Sequence, residues 1–181
     1  MATHLVVLSG PSGVGKSSVI QAALKEMPQT WLSVSATTRQ PRPGEVDGVN
    51  YFYVTNEAFD QMISEGNLLE WAEFAGNRYG TPRAPVEEKL AQDVPVLLEI
   101  ELQGAKQVRK SMPDAVLVFL TPPSWNDLES RLEGRGTETP EEVAIRLAVA
   151  QHELDSADFF DYSITNDDVA RAATELVSFL K

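Results

Sequence analysis

The chain has no cysteine, so disulfides and thiolate chemistry are excluded. Only two histidines occur, His4 and His152. They stand far apart with no ligand partner at short spacing, and neither reads as a metal site. No apolar run approaches the roughly 20 residues needed to cross a bilayer. The opening Met1-Ala2-Thr3-His4 lacks the basic segment of a secretory signal. These absences suit a reducing, cytoplasmic setting and give no expectation of a membrane partner. Positive charge is also scarce, with 15 Lys and Arg against 27 Asp and Glu and a net charge of −12. A general nucleic-acid binder carries the opposite sign, because its affinity comes from neutralising phosphates. No nucleic-acid partner is expected, and a phosphorylated ligand must be met by basic groups gathered locally. Repeats and low-complexity tracts are lacking as well, and no interface signal decides between monomer and homo-oligomer.

What is present is enough for one domain with a real core: 181 residues, 43% of them hydrophobic. Apolar runs alternate with helical patterns. Leu5–Leu8, Trp31–Ala36, Val94–Ile100, Ala115–Thr121 and Tyr162–Thr165 read as strands. Val14–Met27, Gln103–Ser111 and Asp168–Leu180 read as helices. Near-continuous apolar strands separated by helices predict an α/β fold, a parallel sheet wrapped by helices. Two stretches break this rhythm. Residues 33–82 hold short strands at Tyr51–Val54 and Leu68–Ala75, a small helix near Glu57–Glu65, and turns at Pro43-Gly44, Asp47-Gly48 and Gly76-Asn77. They read as a small mixed unit inserted into the main sheet. Residues 122–146 are charged and helical, with helix starts at Ser124-x-x-Asp127 and Thr139-Pro140 and hinge glycines at Gly134 and Gly136.

The most specific local signal is Gly10-Pro11-Ser12-Gly13-Val14-Gly15-Lys16-Ser17, a complete G-x-x-x-x-G-K-S phosphate loop. A strand delivers it and a helix leaves it. Small residues let consecutive N–H groups close around a phosphate, and the helix N-terminus adds partial positive charge. Lys16 can reach the β- and γ-phosphates and Ser17 can sit on Mg²⁺, so the loop points to a nucleoside triphosphate.

Other residues gain meaning beside that loop. Arg39 and Arg42 lie in a proline-punctuated loop, where two guanidinium forks can clamp a second phosphate. The hydroxyls of Tyr51 and Tyr79 can add donors. Glu70 and Glu73 fall on different registers of one strand, so at most one faces a pocket; by pattern alone each reads as solvent-facing, with Trp71 and Phe74 as core. Glu99 and Glu101 flank Ile100 at the carboxyl end of a buried strand, where ligands of open α/β sheets gather. An acid there can orient Mg²⁺ or its water shell, and the residues alone do not say which one does. Arg131, Arg135 and Arg146 belong to the hinge-flanked segment and could close over transferring phosphates.

Together these residues resemble the guanylate kinase family. The likeness runs through Gly10–Ser17, Ser33–Glu45, Gly48, Tyr51–Val54, Glu70, Asn77–Thr81, Leu98–Val108, Arg131–Glu138 and Phe160–Asp167, nearly the whole chain. Thr-Thr-Arg-x-Pro-Arg-x-Gly-Glu at Thr37–Glu45 is its most specific element. The resemblance implies a three-layer P-loop fold with a core at 1–32, 83–121 and 147–181, a GMP-binding insertion at 33–82 and a helical lid at 122–146. It implies transfer of the γ-phosphoryl group of Mg-ATP to GMP, and dGMP as a further acceptor. ATP would lie on Gly10 through Ser17 (Gly10, Pro11, Ser12, Gly13, Val14, Gly15, Lys16, Ser17) and on Ser18, with Asn166 beside the adenine. Ser35, Glu70 and Thr81 would meet guanine, and Arg39, Arg42, Tyr51 and Tyr79 the phosphate of GMP. Lys16, Arg131, Arg135 and Arg146 would serve the transfer itself. The family usually has aspartates where this chain has Glu99 and Glu101. Glu101 is carried as a guanine contact, and Glu99 as a Mg²⁺ contact through water, beside direct contact from Ser17.

Chemistry agrees with that expectation. Guanine presents N1–H and N2–H₂ side by side, which one carboxylate can accept together, whereas adenine offers an acceptor at N1. A phosphorylated-sugar kinase would share the triphosphate loop but has no use for a guanine-matching carboxylate. A non-catalytic interaction module tends to lose phosphate-loop or lid residues, all of which stand here. A GTPase switch is disfavoured because Thr165-Asn166-Asp167-Asp168 is not the Asn-Lys-x-Asp signature of that class.

Overall fold

A glycine decides where the first helix begins. Gly15 has φ +98°, outside the helical region, and the α-helix starts at Lys16 rather than at Val14. The computed structural model describes residues 4–133 and 140–181. In chain order the first half comprises β1 (Leu5–Ser9), α1 (Lys16–Glu26), β2 (Trp31–Leu32), β3 (Ala36–Thr37), β4 (Phe52–Tyr53), α2 (Asn56–Ser64), β5 (Leu68–Phe74), β6 (Asn77–Pro82) and α3 (Arg83–Ala91). The second half comprises β7 (Val96–Glu99), α4 (Leu102–Ser111), β8 (Val116–Thr121), α5 (Trp125–Glu133), α6 (Pro140–Asp155), β9 (Tyr162–Thr165) and α7 (Val169–Ser178). The expected hinge glycines Gly134 and Gly136, Arg135, and the Thr139 helix start lie outside the described residues.

Five strands form a parallel sheet in the order β2-β7-β1-β8-β9, the α/β arrangement that the alternating pattern predicts. Helices cover both faces. On one, Val19, Ile20 and Ala23 of α1 meet Ala172, Ala173, Leu176 and Val177 of α7 in a core with Val6, Leu8 and Val118. On the other, Leu102, Ala105 and Val108 of α4 join Val7, Leu98 and Phe119. The chain leaves β1 toward β2 and β7 on one side and returns to β8 on the other. The crevice beyond the carboxyl end of β1 is therefore a topological switch point, where open α/β sheets bind ligands.

A second sheet has the order β4-β3-β6-β5 and its own small core of Ala36, Phe59 and Leu68. The single strand expected over Trp31–Ala36 is two. Trp31 and Leu32 pair with β7 of the first sheet, while Ala36 and Thr37 pair with β4 and β6 of the second. The break is where the chain changes sheets, and an apolar run carries no mark of a change of partner. The hairpin turn is Ala75-Gly76, one residue earlier than the expected Gly76-Asn77. Both central residues have positive φ, 49° and 74°, as a two-residue loop of type I′ requires. Phe74, expected in the core, is 64% exposed beside that turn. Helix α3 has no sequence signal because it buries only Val86 and carries Pro85 in its first turn.

Candidate active site

The phosphate loop starts where β1 ends. Register pairs Leu8 with Glu99, and Ile100 N–H donates to the Leu8 carbonyl at 3.2 Å, so the carboxyl end of β7 lies against the loop. Lys16 folds back over the loop. Its Nζ donates to the carbonyls of Gly10 at 2.5 Å and Pro11 at 3.3 Å. Burial lowers its pKa below the ordinary lysine value, while the charges of Glu99, Glu153 and Glu101 oppose that shift. Ser17 and Ser18 lie exposed in the first turn of α1.

Gly15 has a second reason to be glycine. A Cβ there would stand 2.6 Å from Nδ2 of Asn166. That amide donates to the Val14 carbonyl at 2.8 Å and is 4% exposed, so Asn166 ties the end of β9 to the phosphate loop. Its Oδ1 is buried with no partner among the described residues. Arg131 Nη1 donates to the same Val14 carbonyl at 3.1 Å, and Arg146 Nη2 donates to Ser12 Oγ at 2.7 Å. An open cleft of about 270 Å³ beside the loop is lined by Gly13, Gly15, Ser18, Arg131, Asn166 and Asp167. Of the expected transfer arginines, Arg131 and Arg146 thus meet the loop, and Arg135 lies outside the described residues.

Glu153 has no place in the sequence reading, yet it belongs here. It is half-buried on α6, receives a backbone hydrogen bond from Ser12, and lies close enough to Lys16 to feel its charge. Burial is the stronger influence and raises its pKa above the usual carboxylate range. One signal was available: Glu153 follows Arg146 by seven residues, two turns along one helix face.

Glu70 corrects the solvent-facing expectation. A bulge between Leu68 and Glu70 places one extra residue in β5, and Leu69 and Glu70, consecutive in sequence, both meet α4. Glu70 is 6% exposed, and Thr81 Oγ1 donates to its Oε1 at 2.7 Å. Burial raises its pKa, hydrogen bonds from Thr81 pull it down, and the charge of Glu101 pushes it up again. Glu73 is exposed, as the register argument requires of one of the pair.

The arginine loop is more ordered than its composition suggests. Glu45 holds both nitrogens of the Arg39 fork, Nη1 to Oε2 at 3.0 Å and Nη2 to Oε1 at 2.9 Å. The same carboxylate accepts Arg42 N–H at 2.7 Å and Tyr53 O–H at 2.8 Å. The Arg39 guanidinium lies 5.4 Å from the Tyr51 ring centroid, and the Tyr51 and Tyr79 rings meet edge to face at 5.9 Å. The Arg42 side chain is exposed, and Ser35 is half-buried with its carbonyl accepting Phe52 N–H at 2.9 Å. Glu45 and Tyr53 are organising residues that the sequence reading missed. A larger hollow of about 410 Å³ lies beside Arg39, Tyr53 and Asn56 but contains neither Glu70, Thr81 nor any phosphate-loop residue.

The Arg39 hydrogen bonds, first, and those of Arg42 N–H and Tyr53 hold the Glu45 carboxyl at about 2, against an ordinary 4.5. Because the folded value is depressed, the stabilisation is full above about 4.5 and is lost as pH falls toward 2. Thermal unfolding of wild type and Glu45→Gln across that range checks this. The wild-type advantage shrinks with acid and vanishes below the lower value; a difference independent of pH would contradict it.

Metal donors are few. Glu99 is solvent-accessible, yet neighbouring protein shields it enough to raise its pKa, with Lys16 pulling it down. Glu101 is exposed just before α4. Among the described residues no cluster of three or more His, Cys, Asp or Glu could hold an ion alone. A hydroxyl at Ser17 and one carboxylate fit Mg²⁺, which keeps several waters and is bound through one or two carboxylates together with substrate phosphates rather than by an all-protein cage. Among the described residues no helix is long and apolar enough to cross a membrane.

Comparison with known proteins gives a consistent result. Residues 2–181 match the family model described as guanylate kinase. A guanylate kinase of Streptomyces coelicolor is 61% identical over 175 residues, covering 97% of this chain and 89% of that protein. One from Thermobifida fusca is 57% identical over 177 residues, covering 98% and 90%. The crystal structure of guanylate kinase from Anaplasma phagocytophilum superimposes with a TM-score of 0.73 at 33% identity, covering 97% of this chain and 83% of that one. On that extent of likeness, the chain belongs to the guanylate kinase family.

Proposed function

We propose that the chain transfers the γ-phosphoryl group of ATP to GMP, releasing ADP and GDP. An α-phosphate oxygen of GMP attacks the γ-phosphorus in line, and the bond from that phosphorus to the β–γ bridging oxygen breaks. The second phosphate pKa of such a monoester is about 6, so the nucleophile is already anionic at neutral pH and needs no general base. The protein's work is alignment and charge neutralisation.

The observation that carries this reading is the buried Glu70 carboxylate, with Oε1 engaged by Thr81. In the reading, Glu70 with Ser35, Thr81 and Glu101 meets guanine, and Arg39, Arg42, Tyr51 and Tyr79 meet the phosphate. Backbone N–H groups of 10–17 and Ser18 hold the donor's phosphates, and Lys16 leaves its resting carbonyls for the β- and γ-oxygens. Arg131, Arg135 and Arg146, within a lid at 122–146, neutralise charge during transfer, and Asn166 flanks the adenine side. Ser17 directly and Glu99 through water would hold Mg²⁺, which when bound would neutralise charge on the β- and γ-phosphates. The insertion at 33–82 and the core at 1–32, 83–121 and 147–181 are the corresponding units.

ADP release with ATP as donor and GMP, dGMP, AMP, CMP or UMP as acceptor tests the reading. GMP and dGMP are used, and AMP is rejected by about 10⁴-fold or more, as expected where a site's hydrogen bonds go unmatched. Turnover with a sugar phosphate but not with GMP would overturn it.

A further inference from the structure

Gly104 lies buried in the first turn of α4, and its backbone conformation is an ordinary one that any residue could adopt. Glycine is among the poorest residues for a helix, so a packing reason is required. A Cβ at this position would stand 2.6 Å from Glu70 Oε2, 3.1 Å from Glu70 Cδ and 3.3 Å from Ile100 Cβ. The volume that a side chain would fill is taken by the Glu70 carboxylate.

The same helix holds the chain on either side of Glu70. Gln107 clasps Trp71 twice: its Nε2 donates to the Trp71 carbonyl at 2.8 Å, and Trp71 N–H donates to its Oε1 at 3.1 Å. Ser111 Oγ donates to the Leu69 carbonyl at 3.1 Å. Positions 104, 107 and 111 are spaced three and four apart and share one helix face. The bulge that turns Leu69 and Glu70 together toward α4 is thus pinned at both flanks. Carboxylate position along this face is fixed by three contacts, and Gly104 supplies the room.

We infer that α4 is the mount that aims the Glu70 carboxylate, and that Gly104 is a specificity-determining position for the acceptor base because it leaves that carboxylate its seat. This rests on Glu70 reading guanine. Gly104 touches no substrate; it is a positioning residue, with Gln107 as its companion. A methyl group added at 104 displaces the flexible end of Glu70 rather than backbone, so the fold persists while the hydrogen-bonding geometry shifts.

Steady-state kinetics of Gly104→Ala with GMP and with inosine monophosphate, which lacks the 2-amino group, test the inference. KM for GMP rises about ten-fold or more and the preference for GMP over inosine monophosphate falls in step, because the displaced carboxylate no longer meets both N–H groups. KM for ATP is unchanged, and the melting temperature is held or raised by the better helix former. The double variant Gly104→Ala, Glu70→Gln is no worse than Glu70→Gln alone. Unaltered GMP kinetics in Gly104→Ala, or losses that simply add, would overturn the inference while leaving the reading of Glu70 intact. If Glu70→Gln itself spares GMP use, both fall. Should Gly104→Ala fail to fold, Gln107→Met removes both bonds to Trp71 at similar length; the same selective rise in KM for GMP supports the inference, and its absence overturns it.

Discussion

Lys16→Ala lowers kcat by about 10²–10³-fold, the loss typical when one charge-stabilising donor is removed from a transferring centre. The ammonium rests on the carbonyls of Gly10 and Pro11, at the mouth of the phosphate loop. Those carbonyls are poor partners for a cation beside the oxygens of a triphosphate, so the side chain can exchange one set of acceptors for the other. Burial already disfavours its charge while Glu99, Glu153 and Glu101 favour it. Phosphate binding adds further negative charge and settles that contest in favour of the ammonium. In the proposed reading its charge would meet the β- and γ-oxygens of the donor, a contribution that GMP cannot replace. A coupled ADP assay measures the effect, and a melting curve controls for the two resting hydrogen bonds that alanine forfeits. Turnover within about ten-fold of wild type would remove Lys16 from the mechanism.

Glu70→Gln separates recognition from stability. The glutamine can keep the bond from Thr81 at the Oε1 position, but it turns an amide donor toward the N–H donors of guanine. Two hydrogen bonds to a charged acceptor, at roughly 1.5–3 kcal/mol each, convert to a loss of about 10²–10⁴-fold in kcat/KM for GMP. ATP binding is spared. Stability moves the other way. Burial raises the Glu70 pKa, so between its unfolded and folded values the native state binds more protons than the unfolded state. Wild-type stability therefore falls as pH rises through that window. The variant has no such group, and its melting temperature gains on wild type as pH rises above the ordinary carboxylate value. Unchanged GMP kinetics would refute the guanine assignment. A variant whose margin shrinks as pH rises would refute the burial argument.

Fold and site were legible to different depths. The parallel sheet shows in the sequence because strands buried on both faces must be apolar throughout, as in Val96–Leu98 and Leu117–Leu120. The phosphate loop shows because its chemistry lies in consecutive residues. The arginine loop shows in part: Arg39 and Arg42 can be read, whereas the grip of Glu45 on Arg39 and Tyr53 closes only in three dimensions. Glu153 is 141 residues from Ser12 in the chain, a separation across which a one-dimensional pattern carries no contact.

Local chemistry, then, determined from sequence alone that a strand hands a glycine-rich G-x-x-x-x-G-K-S loop to a helix, that the main sheet is parallel, and that Arg39 and Arg42 share one proline-punctuated loop. The tertiary structure decided which carboxylate goes inside. Alternation along β5 separates Glu70 from Glu73 without saying which of the two goes inside, and only the bulge, the Thr81 hydroxyl and the space left by Gly104 turn the first inward and leave the second in water. A charge is buried when partners from distant parts of the chain converge on it, and that convergence is a property of the fold.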